Sequence, residues 1–475
     1  MKKYDIVIFG ISKPKKEDLI CDIAVIGGGP GGYVAAIRAR HLGAEVAIIE
    51  KQDIGGVCLN IGCIPTKALI KSAKVYKQFM HSEEYGIEVD KAAVKVNWPA
   101  VVNRKDGVVK KLTGGVKTLL TKNGVDIYQG FGNVLSPTTV EVNGETLTTN
   151  NIILATGASP VIPPIPGVKE AYEKGIILTS KEALSLSKLP KELVIIGGGV
   201  IGIEFATIFS QFNVEVTIIE MMDNILVNID EEERNTYLRS LKKDKVNVIT
   251  SAAVTKVDDN TVTYNKDGKD ISIKAEKILM SVGMRPNVPT FENFKLETTK
   301  QGITVNERLE TSVKGIYAIG DVNGRVMLAH AASAQGIAVV NNIMGKTDIV
   351  NFERIPAGIY GFPEIAMVGI TEQAAKAKNL DYVVSKFPLA GNGKALAEGE
   401  TEGFVKIIAD KKYGEILGVH ILAANATELI GEIVATMELE GTASELAKAV
   451  HPHPTISEAI MEAAQGIIGK AIHRL

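Results

Sequence analysis

The sequence predicts an α/β protein with two Rossmann-like domains followed by a C-terminal α+β domain. Three observations predict this fold class. A glycine-rich strand–turn–helix unit occurs twice, short apolar strands recur between and after these units, and the C-terminal part lacks glycine-rich turns of this kind. Because the chain has 475 residues, it is too long for one compact core and is expected to form several domains.

The composition excludes some classes of protein. Apolar residues make up 45% of the chain and charged residues 23%, an ordinary balance for a globular protein. A formal net charge of −2 provides no electrostatic attraction to nucleic acid or to an anionic membrane. Asp5 and the charged run Lys13–Asp18 argue against a secretory signal, and Glu204 makes the apolar stretch Leu193–Phe209 a poor membrane span. A cytoplasmic protein is therefore expected.

The first glycine-rich unit has the pattern of a dinucleotide-binding βαβ motif. In the loop GGGPGG, Gly27 permits a tight turn, Gly29 lets the backbone approach a pyrophosphate, and Gly32 lets helix and strand pack closely. The N-terminus of the next helix then faces the phosphates with unpaired N–H groups. The following strand, Glu45–Ile49, ends in Glu50, which can accept hydrogen bonds from a ribose.

The second unit repeats this pattern and indicates which nicotinamide cofactor is bound. Its loop GGGVIG begins at Gly197, and the interval to the terminal acid Glu220 equals that of the first unit. Two complete copies imply two dinucleotides. A carboxylate at Glu220 pairs with a free 2′-hydroxyl and repels a 2′-phosphate, and Met221 and Met222 follow where a phosphate site would need arginine. NAD is therefore expected rather than NADP.

The remaining segments suggest how the chain is divided. Ile152–Gly157, Lys277–Gly283 and Gly315–Asp321 are short apolar strands that end in small-residue turns, as buried parallel strands do. From about Asn351 the strands alternate more strongly and are followed by two helices, which indicates a separate α+β domain. Tyr4–Gly10 resembles an extra strand. The predicted divisions are an extension over 1–20 and domains over 21–159, 160–280, 281–350 and 351–475.

Three cysteines are too few for a disulfide scaffold or a four-cysteine zinc site, and no metal is expected. Cys21 stands alone at the head of an apolar strand and is expected to be a small buried hydrophobe. Cys58 and Cys63 lie five residues apart on a glycine-containing turn, a spacing that can bring their β-carbons within disulfide reach. Pro65 favours a helix start just beyond them, and a helix N-terminus stabilises a thiolate. Two unrelated thiols or half of a metal site are the alternatives.

Eight motifs identify a family resemblance that extends from about Cys21 to the C-terminus. They are GGGPGGYVAAIRA, GGVCLNIGCIPTKAL, ATGASP, GGGVIGIEFA, VGMRPN, YAIGD, MLAHAASAQG and HPHPTISE. With them the chain resembles the FAD-dependent pyridine nucleotide–disulfide oxidoreductases, and among these the enzymes that oxidise dihydrolipoamide. The resemblance implies FAD in the first Rossmann-like domain, NAD in the second, and a C-terminal domain that forms a homodimer.

The resemblance also implies a reaction and a partner. The expected reaction is oxidation of protein-bound dihydrolipoamide to lipoamide with NAD⁺, through a redox disulfide between Cys58 and Cys63 and through FAD. The expected partner is a lipoyl-bearing protein of a 2-oxo acid dehydrogenase, acetoin or glycine-cleavage complex, with no nucleic acid and no membrane. A reductase of glutathione-like disulfides or of mercuric ion would favour an NADP-binding arginine cluster or a C-terminal cysteine pair. A flavoprotein redox sensor or a structural subunit is an alternative of another class.

Individual roles follow from the same resemblance. Cys63 would lie against the flavin as the charge-transfer thiolate, Cys58 would exchange with substrate, and His453 would act as the acid–base residue oriented by Glu458. Lys67 would lie beside the flavin N5. The implied cofactor contacts are Gly27, Gly29, Gly32, Glu50, Lys51, Gly56, Lys67, Gly132 (adenosine), Thr156, Gly157, Asp321 (ribityl chain), Ala329 (flavin end), Gly197, Gly199, Val200, Ile201, Gly202, Glu204 (paired with Lys67), Glu220, Val254 and Gly283.

The histidine assignment also has a physical argument. Dithiol oxidation needs a base that accepts a thiol proton near neutral pH, and histidine titrates there. A carboxylate bonded to the other ring nitrogen fixes the tautomer. Taken alone, His451 and His453 could equally be two metal ligands or loop residues without a role. The histidines left as surface or core residues are His41, His81, His420 and His473.

Overall fold

The structure is a computed structural model that describes residues 20–469 and 471–473. The chain folds into two units. The first contains residues 20–65 together with Asn103–Pro160 and Met284–Val350. The second contains Thr66–Val102, Val161–Gly283 and the described residues from 351 to 469 and 471 to 473. The expected strand within Tyr4–Gly10 lies outside the described residues, and the five-part division of the chain stays a prediction.

The first unit is built on a mostly parallel sheet. Its strands are β1 (Ile20–Ile26), β2 (Val46–Glu50), β3 (Asp126–Gln129), β4 (Asn133–Ser136), β5 (Thr139–Val142), β6 (Glu145–Leu154) and β19 (Ile316–Ala318). Their order is β3-β2-β1-β6-β5-β4, with β19 beside β6, and the parallel pairs are β1–β2, β1–β6, β2–β3 and β6–β19. Every residue of β2 is buried, as expected for a strand covered on both faces.

The helices of this unit are α1 (Pro30–His41), α2 (Gly56–Ile61) and α9 (Ala329–Ile343). Two longer helices have residues in both units, α3 (Cys63–Met80) and α4 (Trp98–Lys122). Two small antiparallel pairs are β7 (Ala158–Pro160) with β16 (Met284–Pro286), and β17 (Thr298–Thr299) with β18 (Gly302–Ile303). Glycines allow α1 and α9 to approach closely, because a β-carbon on Gly336 would lie 2.6 Å from the carbonyl oxygen of Gly31.

The second unit begins with a second parallel sheet. Its strands are β8 (Ile177–Leu178), β9 (Glu192–Ile196), β10 (Glu215–Ile219), β11 (Asn247–Ile249) and β15 (Lys277–Met280), in the order β11-β10-β9-β15-β8. An antiparallel sheet contains β12 (Ala253–Asp258), β13 (Thr261–Lys266) and β14 (Lys269–Lys274). The helices are α5 (Val168–Glu173), α6 (Ser180–Ala183), α7 (Val200–Gln211) and α8 (Glu231–Lys243).

The C-terminal part of this unit is a five-stranded antiparallel sheet with helices. The strands are β20 (Ala357–Ile359), β21 (Glu364–Gly369), β22 (Tyr382–Pro388), β23 (Phe404–Asp410) and β24 (Ile416–Ala423), in the order β20-β21-β24-β23-β22. The helices are α10 (Glu372–Ala377), α11 (Gly393–Glu398), α12 (Ala426–Glu438), α13 (Ala443–Lys448) and α14 (Glu458–Ile467).

The structure confirms the α/β fold class and corrects two details. Three helices follow the last strand where two were expected, because Thr442 starts α13 with a capping box in a segment without a strong apolar period. Strand β23 was expected to alternate but is buried almost throughout, because it lies between β24 and β22 and its lysine, Lys406, is held inside by Asp230 at 2.9 Å. Cys21 is buried as expected. Among the described residues no helix is long and apolar enough to cross a membrane.

Candidate active site

The first glycine loop leaves β1 at the carboxyl edge of the first sheet. Gly27 has φ = 111°, and a β-carbon there would lie 2.1 Å from the carbonyl oxygen of Ala155, so this turn requires glycine. A β-carbon on Gly32 would lie 1.8 Å from the oxygen of Gly27, which explains the close packing of helix on strand. At Gly29 the nearest atom would be 3.9 Å away. This open backbone lies in front of the N-terminus of α1, where a phosphate group can approach.

Glu50 lies at the end of β2 and is oriented by the backbone. Its Oε2 accepts a hydrogen bond from the N–H of Gly28 at 2.6 Å, and its Oε1 accepts one from Gln52 at 2.7 Å. The residue is 8% exposed. Because a carboxylate has about four lone-pair sites, the two that remain can accept ribose hydroxyls.

The other residues expected at FAD follow neighbouring strands of this sheet. Thr156 and Gly157 follow β6 and are held by Asn287, whose backbone oxygen accepts from Thr156 Oγ1 at 2.7 Å and whose N–H donates to Gly157 at 2.9 Å. Gly132 follows β3, and a β-carbon there would lie 3.2 Å from Ile49. Lys51 is exposed after β2, Gly56 starts α2, and Ala329 starts α9.

Asp321 follows β19 in a 3-10 turn, Gly320–Asn323, at the same edge. Burial raises the pKa of its carboxyl. A buried acid of this kind suits a ligand hydroxyl that donates a hydrogen bond to it. A glycine cradle, an oriented Glu50 and a buried carboxyl at Asp321 therefore fit the pyrophosphate, ribose and ribityl groups of FAD.

The second glycine loop reproduces this geometry at the carboxyl edge of the second sheet. Gly197 has φ = 106°, and a β-carbon there would lie 2.4 Å from the oxygen of Ser281. A β-carbon on Gly202 would lie 2.3 Å from the oxygen of Gly197, whereas Gly199 has open space. Glu220 accepts from the N–H of Gly198 at 2.6 Å and of Met222 at 2.7 Å, as Glu50 does in the first unit.

The remaining residues expected at NAD lie in the first turn of α7, after β15 and in β12. Val200 and Ile201 form the first turn of α7, in which Val200 is 44% exposed next to the open space at Gly199. Gly283 follows β15, where a β-carbon would meet nothing within 4 Å, and Val254 lies half-buried in β12. Met221 and Met222 are exposed. The open backbone at Gly199 and the oriented carboxylate of Glu220 fit the pyrophosphate and the adenosine ribose of NAD.

The two cysteines occupy consecutive helices. Cys58 lies in α2, and Cys63 is the first residue of the 18-residue helix α3. The helix was expected to start just beyond Cys63, but it starts at Cys63 itself. Pro65 fits into its first turn because the N–H that proline lacks has no partner there. The helix N-terminus therefore places its partial positive charge at Cys63, which favours the thiolate.

Gly62 separates the two cysteine-bearing helices. A β-carbon on Gly62 would lie 2.9 Å from the oxygen of Val57 and 3.3 Å from the α-carbon of Cys58, so a larger residue would push the segments apart. Burial and the charge at Cys58 raise the pKa of the Tyr33 phenol, which indicates that Tyr33 lies near this cysteine. By contrast, burial raises the pKa of Cys21 to about 11 and keeps it a thiol.

Lys67, four residues after Cys63 in α3, is fixed by two groups. Its Nζ donates to both oxygens of Glu204, at 2.8 and 2.9 Å, and lies 4.4 Å from the ring centroid of Tyr360. The N–H of Tyr360 also donates to Glu204 at 3.2 Å. The predicted contact between Lys67 and Glu204 is confirmed. Tyr360 lies 156 residues after Glu204, and no sequence motif indicates its part in this contact.

His453 forms the expected pair with Glu458. Its Nδ1 lies 2.9 Å from Glu458 Oε1, so Nδ1 carries the proton that this bond needs and Nε2 keeps its lone pair. A hydrogen bond from the Thr455 N–H and contact with His453 lower the pKa of Glu458, which keeps this carboxyl ionised. The imidazole is 78% exposed, and Nε2 is therefore accessible to a substrate.

The loop that carries His453 is held at both ends. Before it, His451 Nε2 lies 2.8 Å from Glu432 in α12, and its Nδ1 lies 3.0 Å from the carbonyl oxygen of Ala449. After it, Asn392 Nδ2 donates to the oxygen of Thr455 at 3.0 Å. Both ring nitrogens of His451 therefore contact protein oxygens, which favours an anchoring role over the metal-ligand alternative. Among the described residues no group of three His, Cys, Asp or Glu is arranged to hold a metal.

Comparison with known proteins agrees with this arrangement. Residues 21–336 match the pyridine nucleotide-disulphide oxidoreductase family model, and residues 355–464 match the dimerisation domain of the same name. Relatives include a dihydrolipoyl dehydrogenase of Acholeplasma laidlawii, 54% identical over 68% of this chain and 96% of the relative. Another, from Bacillus subtilis, is 42% identical over 95% of this chain and 99% of its own.

A solved structure with a similar fold is the Cu(II) complex of RclA from Escherichia coli, described as an HOCl-induced flavoprotein disulfide reductase. It superposes with a TM-score of 0.83 at 26% sequence identity, covering 94% of this chain and 99% of that one. The likeness therefore extends over both units of the chain.

Proposed function

The chain belongs to the pyridine nucleotide-disulphide oxidoreductase family, and from that premise we propose that it is a dihydrolipoyl dehydrogenase. The family uses FAD and NAD. The proposed reaction is oxidation of protein-bound dihydrolipoamide to lipoamide with NAD⁺ as acceptor. The observation that carries the proposal is the position of Cys58 and Cys63 on consecutive helices, with Cys63 at the N-terminus of α3.

Proton transfer is assigned to His453. Its Nδ1 proton is engaged by Glu458, so the free lone pair on Nε2 can accept the proton of a substrate thiol. The imidazolium that forms is stabilised by the ionised carboxylate of Glu458, whose pKa is already lowered. The substrate thiolate that results is the nucleophile of the next step.

Cys58 and Cys63 are not disulfide-bonded in the structure; in the oxidised protein they would form a disulfide, and electron transfer from substrate would begin there. The substrate thiolate attacks Sγ of Cys58, which forms a mixed disulfide and releases Cys63 as a thiolate. The second substrate thiol then attacks its own bound sulfur, closes the cyclic disulfide and transfers its proton to the released Cys58. Substrate loses two electrons and two protons; the protein disulfide gains the electrons, and His453 and Cys58 hold the protons.

The residues at the two sheet edges are proposed to hold the cofactors. Gly29, Glu50 and Asp321 would contact the pyrophosphate, ribose and ribityl groups of FAD, and Glu220 would contact the adenosine ribose of NAD. The chemistry that FAD supplies when bound is transfer of the electron pair from the protein dithiol to NAD⁺. The Cys63 thiolate, stabilised by the helix N-terminus, is the donor on the protein side.

We further propose that the active protein is a cytoplasmic homodimer whose partner is the lipoyl-bearing protein of a 2-oxo acid dehydrogenase, acetoin or glycine-cleavage complex. The match of residues 355–464 to a dimerisation domain supports the dimer. His453 belongs to that segment, and a two-fold dimer can supply it to the cysteines of the other chain.

Hybrid dimers test this shared site. Cys58→Ser and His453→Gln homodimers should each be nearly inactive, because loss of a general base alone costs about 10²–10⁴ in rate. In a hybrid, one site would combine both lesions and the other would contain intact Cys58 and intact His453. Random mixing makes about half of the dimers hybrid, so co-expression should restore roughly a quarter of the wild-type rate. Absence of recovery in verified hybrids would place the base in the same chain as its cysteines.

The substrate assignment is tested by a paired assay. Purified protein should reduce NAD⁺ with dihydrolipoamide at least about 100-fold faster, in kcat/KM, than it oxidises NADPH with glutathione disulfide, a preference of about 2.7 kcal/mol. A larger rate with glutathione disulfide would identify a reductase of the rival class. No turnover of either pair in FAD-loaded protein would favour a redox sensor or structural subunit.

A further inference from the structure

The turn that carries Asp321 is held in place by buried side chains that no motif assigns to a role. Strand β19 ends at Ala318, and the 3-10 turn Gly320–Asn323 follows. Gly320 has φ = 70°, and a β-carbon there would lie 3.1 Å from Ala332, so this conformation needs glycine. The position of Asp321 therefore depends on what holds the two ends of the turn.

Both ends are held by one oxygen atom of Gln335, a fully buried residue of α9. Gln335 Oε1 accepts from the N–H of Gly320 at 3.0 Å and from Asn323 Nδ2 at 2.6 Å. Asn323 Nδ2 also donates to the oxygen of Ala318 at 3.1 Å, and Asn323 Oδ1 accepts from the N–H of Arg325. Two donors converge on this atom of Gln335, which identifies it as the amide oxygen.

The amide nitrogen of Gln335 does not help to hold the turn. Within residues 20–469 and 471–473, Gln335 Nε2 is buried without a hydrogen-bond partner. A buried unpaired donor is unfavourable, so the favourable contribution of this side chain comes from its oxygen. An apolar side chain of the same length would fill the space but would leave two buried donors on the turn without this acceptor.

We propose that Gln335 is a positioning residue for FAD: through Gly320 and Asn323 it fixes the turn that presents the Asp321 carboxyl to the ribityl chain. The inference rests on the proposed FAD site. Gln335 acts on FAD only indirectly, through its hydrogen bonds to the turn. A packing role alone would depend on side-chain volume, whereas this role depends on one acceptor oxygen.

Two isosteric substitutions separate these roles. Gln335→Met keeps the length and removes the acceptor. Gln335→Glu keeps the acceptor and replaces the unpaired nitrogen. Apoprotein of each variant would be titrated with FAD, following flavin fluorescence, and the fold of the apoprotein would be checked by circular dichroism and Tm. Ile337→Ala, at an exposed position of the same helix, is the matched control, and Asp321→Asn is the positive control.

The expected result is a Kd for FAD at least about tenfold higher in Gln335→Met, or about 1.4 kcal/mol, and a Kd within about threefold of wild type in Gln335→Glu and Ile337→Ala. FAD should also dissociate faster from Gln335→Met than from wild type, even where the apoprotein Tm is unchanged. A Gln335→Met protein that binds FAD as wild type does would overturn the proposal. So would equal losses in the methionine and glutamate variants.

If Gln335→Met fails to fold, Asn323→Ala tests the same turn from its other end. It leaves Gly320 paired with Gln335 and should raise the Kd for FAD about threefold to tenfold. Unchanged FAD affinity in Asn323→Ala would contradict the proposal. Wild-type apoprotein that does not bind FAD would contradict the proposed function itself, a result distinct from either outcome for Gln335.

Discussion

Lys67 and Glu204 form a two-fold hydrogen-bonded ion pair, with Nζ 2.8 and 2.9 Å from the two carboxylate oxygens. The pair joins helix α3, which begins at Cys63, to α7, which begins at Val200 within the second glycine loop. Glu204 is 5% exposed, so its end of the pair is held away from water. This ion pair therefore links α3, which carries Lys67, to α7, which carries Glu204.

Neutralising Glu204 should lower activity without removing FAD. Glu204→Gln keeps an acceptor for the N–H of Tyr360 but leaves the ammonium of Lys67 without its counter-ion, so its orientation is no longer fixed. We expect kcat/KM with dihydrolipoamide to fall about tenfold, equivalent to about 1.4 kcal/mol. Asp259→Asn, which removes an exposed ion pair with Lys174, is the control and should change nothing measurable. Equal activities of the two variants would contradict a role for the buried pair.

The thiolate at the helix N-terminus should be visible by absorbance. Anaerobic reduction of FAD-loaded protein with dihydrolipoamide should produce a long-wavelength charge-transfer band, and Cys63→Ser should abolish it, because serine provides no thiolate at that position. Cys21→Ser should retain the band, since burial raises the pKa of Cys21 to about 11. A full-strength band in Cys63→Ser would assign the thiolate to another residue.

Glu220 should determine the choice of nicotinamide cofactor. Glu220→Ala removes the carboxylate that the N–H groups of Gly198 and Met222 orient. We therefore expect the KM for NAD⁺ to rise about tenfold and the preference for NAD⁺ over NADP⁺ to become smaller. Glu215→Ala, on the exposed start of the same strand, is the control. Wild-type protein that used both cofactors equally would contradict the ribose argument.

A buried acid should make stability fall as the pH rises through neutrality. Burial raises the pKa of Glu233 from 4.5 to about 7. Its Oε2 lies 3.6 Å from Nδ1 of His420, which is equally buried. A carboxyl with a raised folded-state pKa stabilises the fold fully below its unfolded value, and the contribution is lost as the pH rises through the folded value. Burial by itself would lower the pKa of His420, but the neighbouring Glu233 carboxyl and the Ile370 carbonyl oxygen raise it overall, so this histidine acts in the same direction.

The measurement is Tm from pH 4.5 to 8. Wild-type Tm should decline across this window, and Glu233→Gln should show a shallower decline, because an amide does not titrate. Glu231→Gln, an exposed neighbour in the same helix, should retain the wild-type slope. Parallel curves for Glu233→Gln and wild type would show that another group controls the slope.

Local patterns in the sequence predicted much of this arrangement. The glycine loops and the terminal acids Glu50 and Glu220 are set by short-range backbone geometry, which a motif records directly. Tyr360 and Gln335 could not be found in this way, because their contacts join segments that are distant in sequence and depend on burial. The start of α3 was misplaced because proline is compatible with several positions of a first turn.

The central claim is that the Cys58–Cys63 pair receives the electrons of dihydrolipoamide. It is tested most directly by mixing the FAD-loaded, oxidised protein anaerobically with one equivalent of dihydrolipoamide and no NAD⁺, then alkylating and counting labels by peptide mass spectrometry. We expect Cys58 and Cys63 to change together from unlabelled to labelled, with one lipoamide formed per pair and Cys21 unchanged. Labelling of both cysteines before the dithiol is added, or no gain afterwards, would contradict the account.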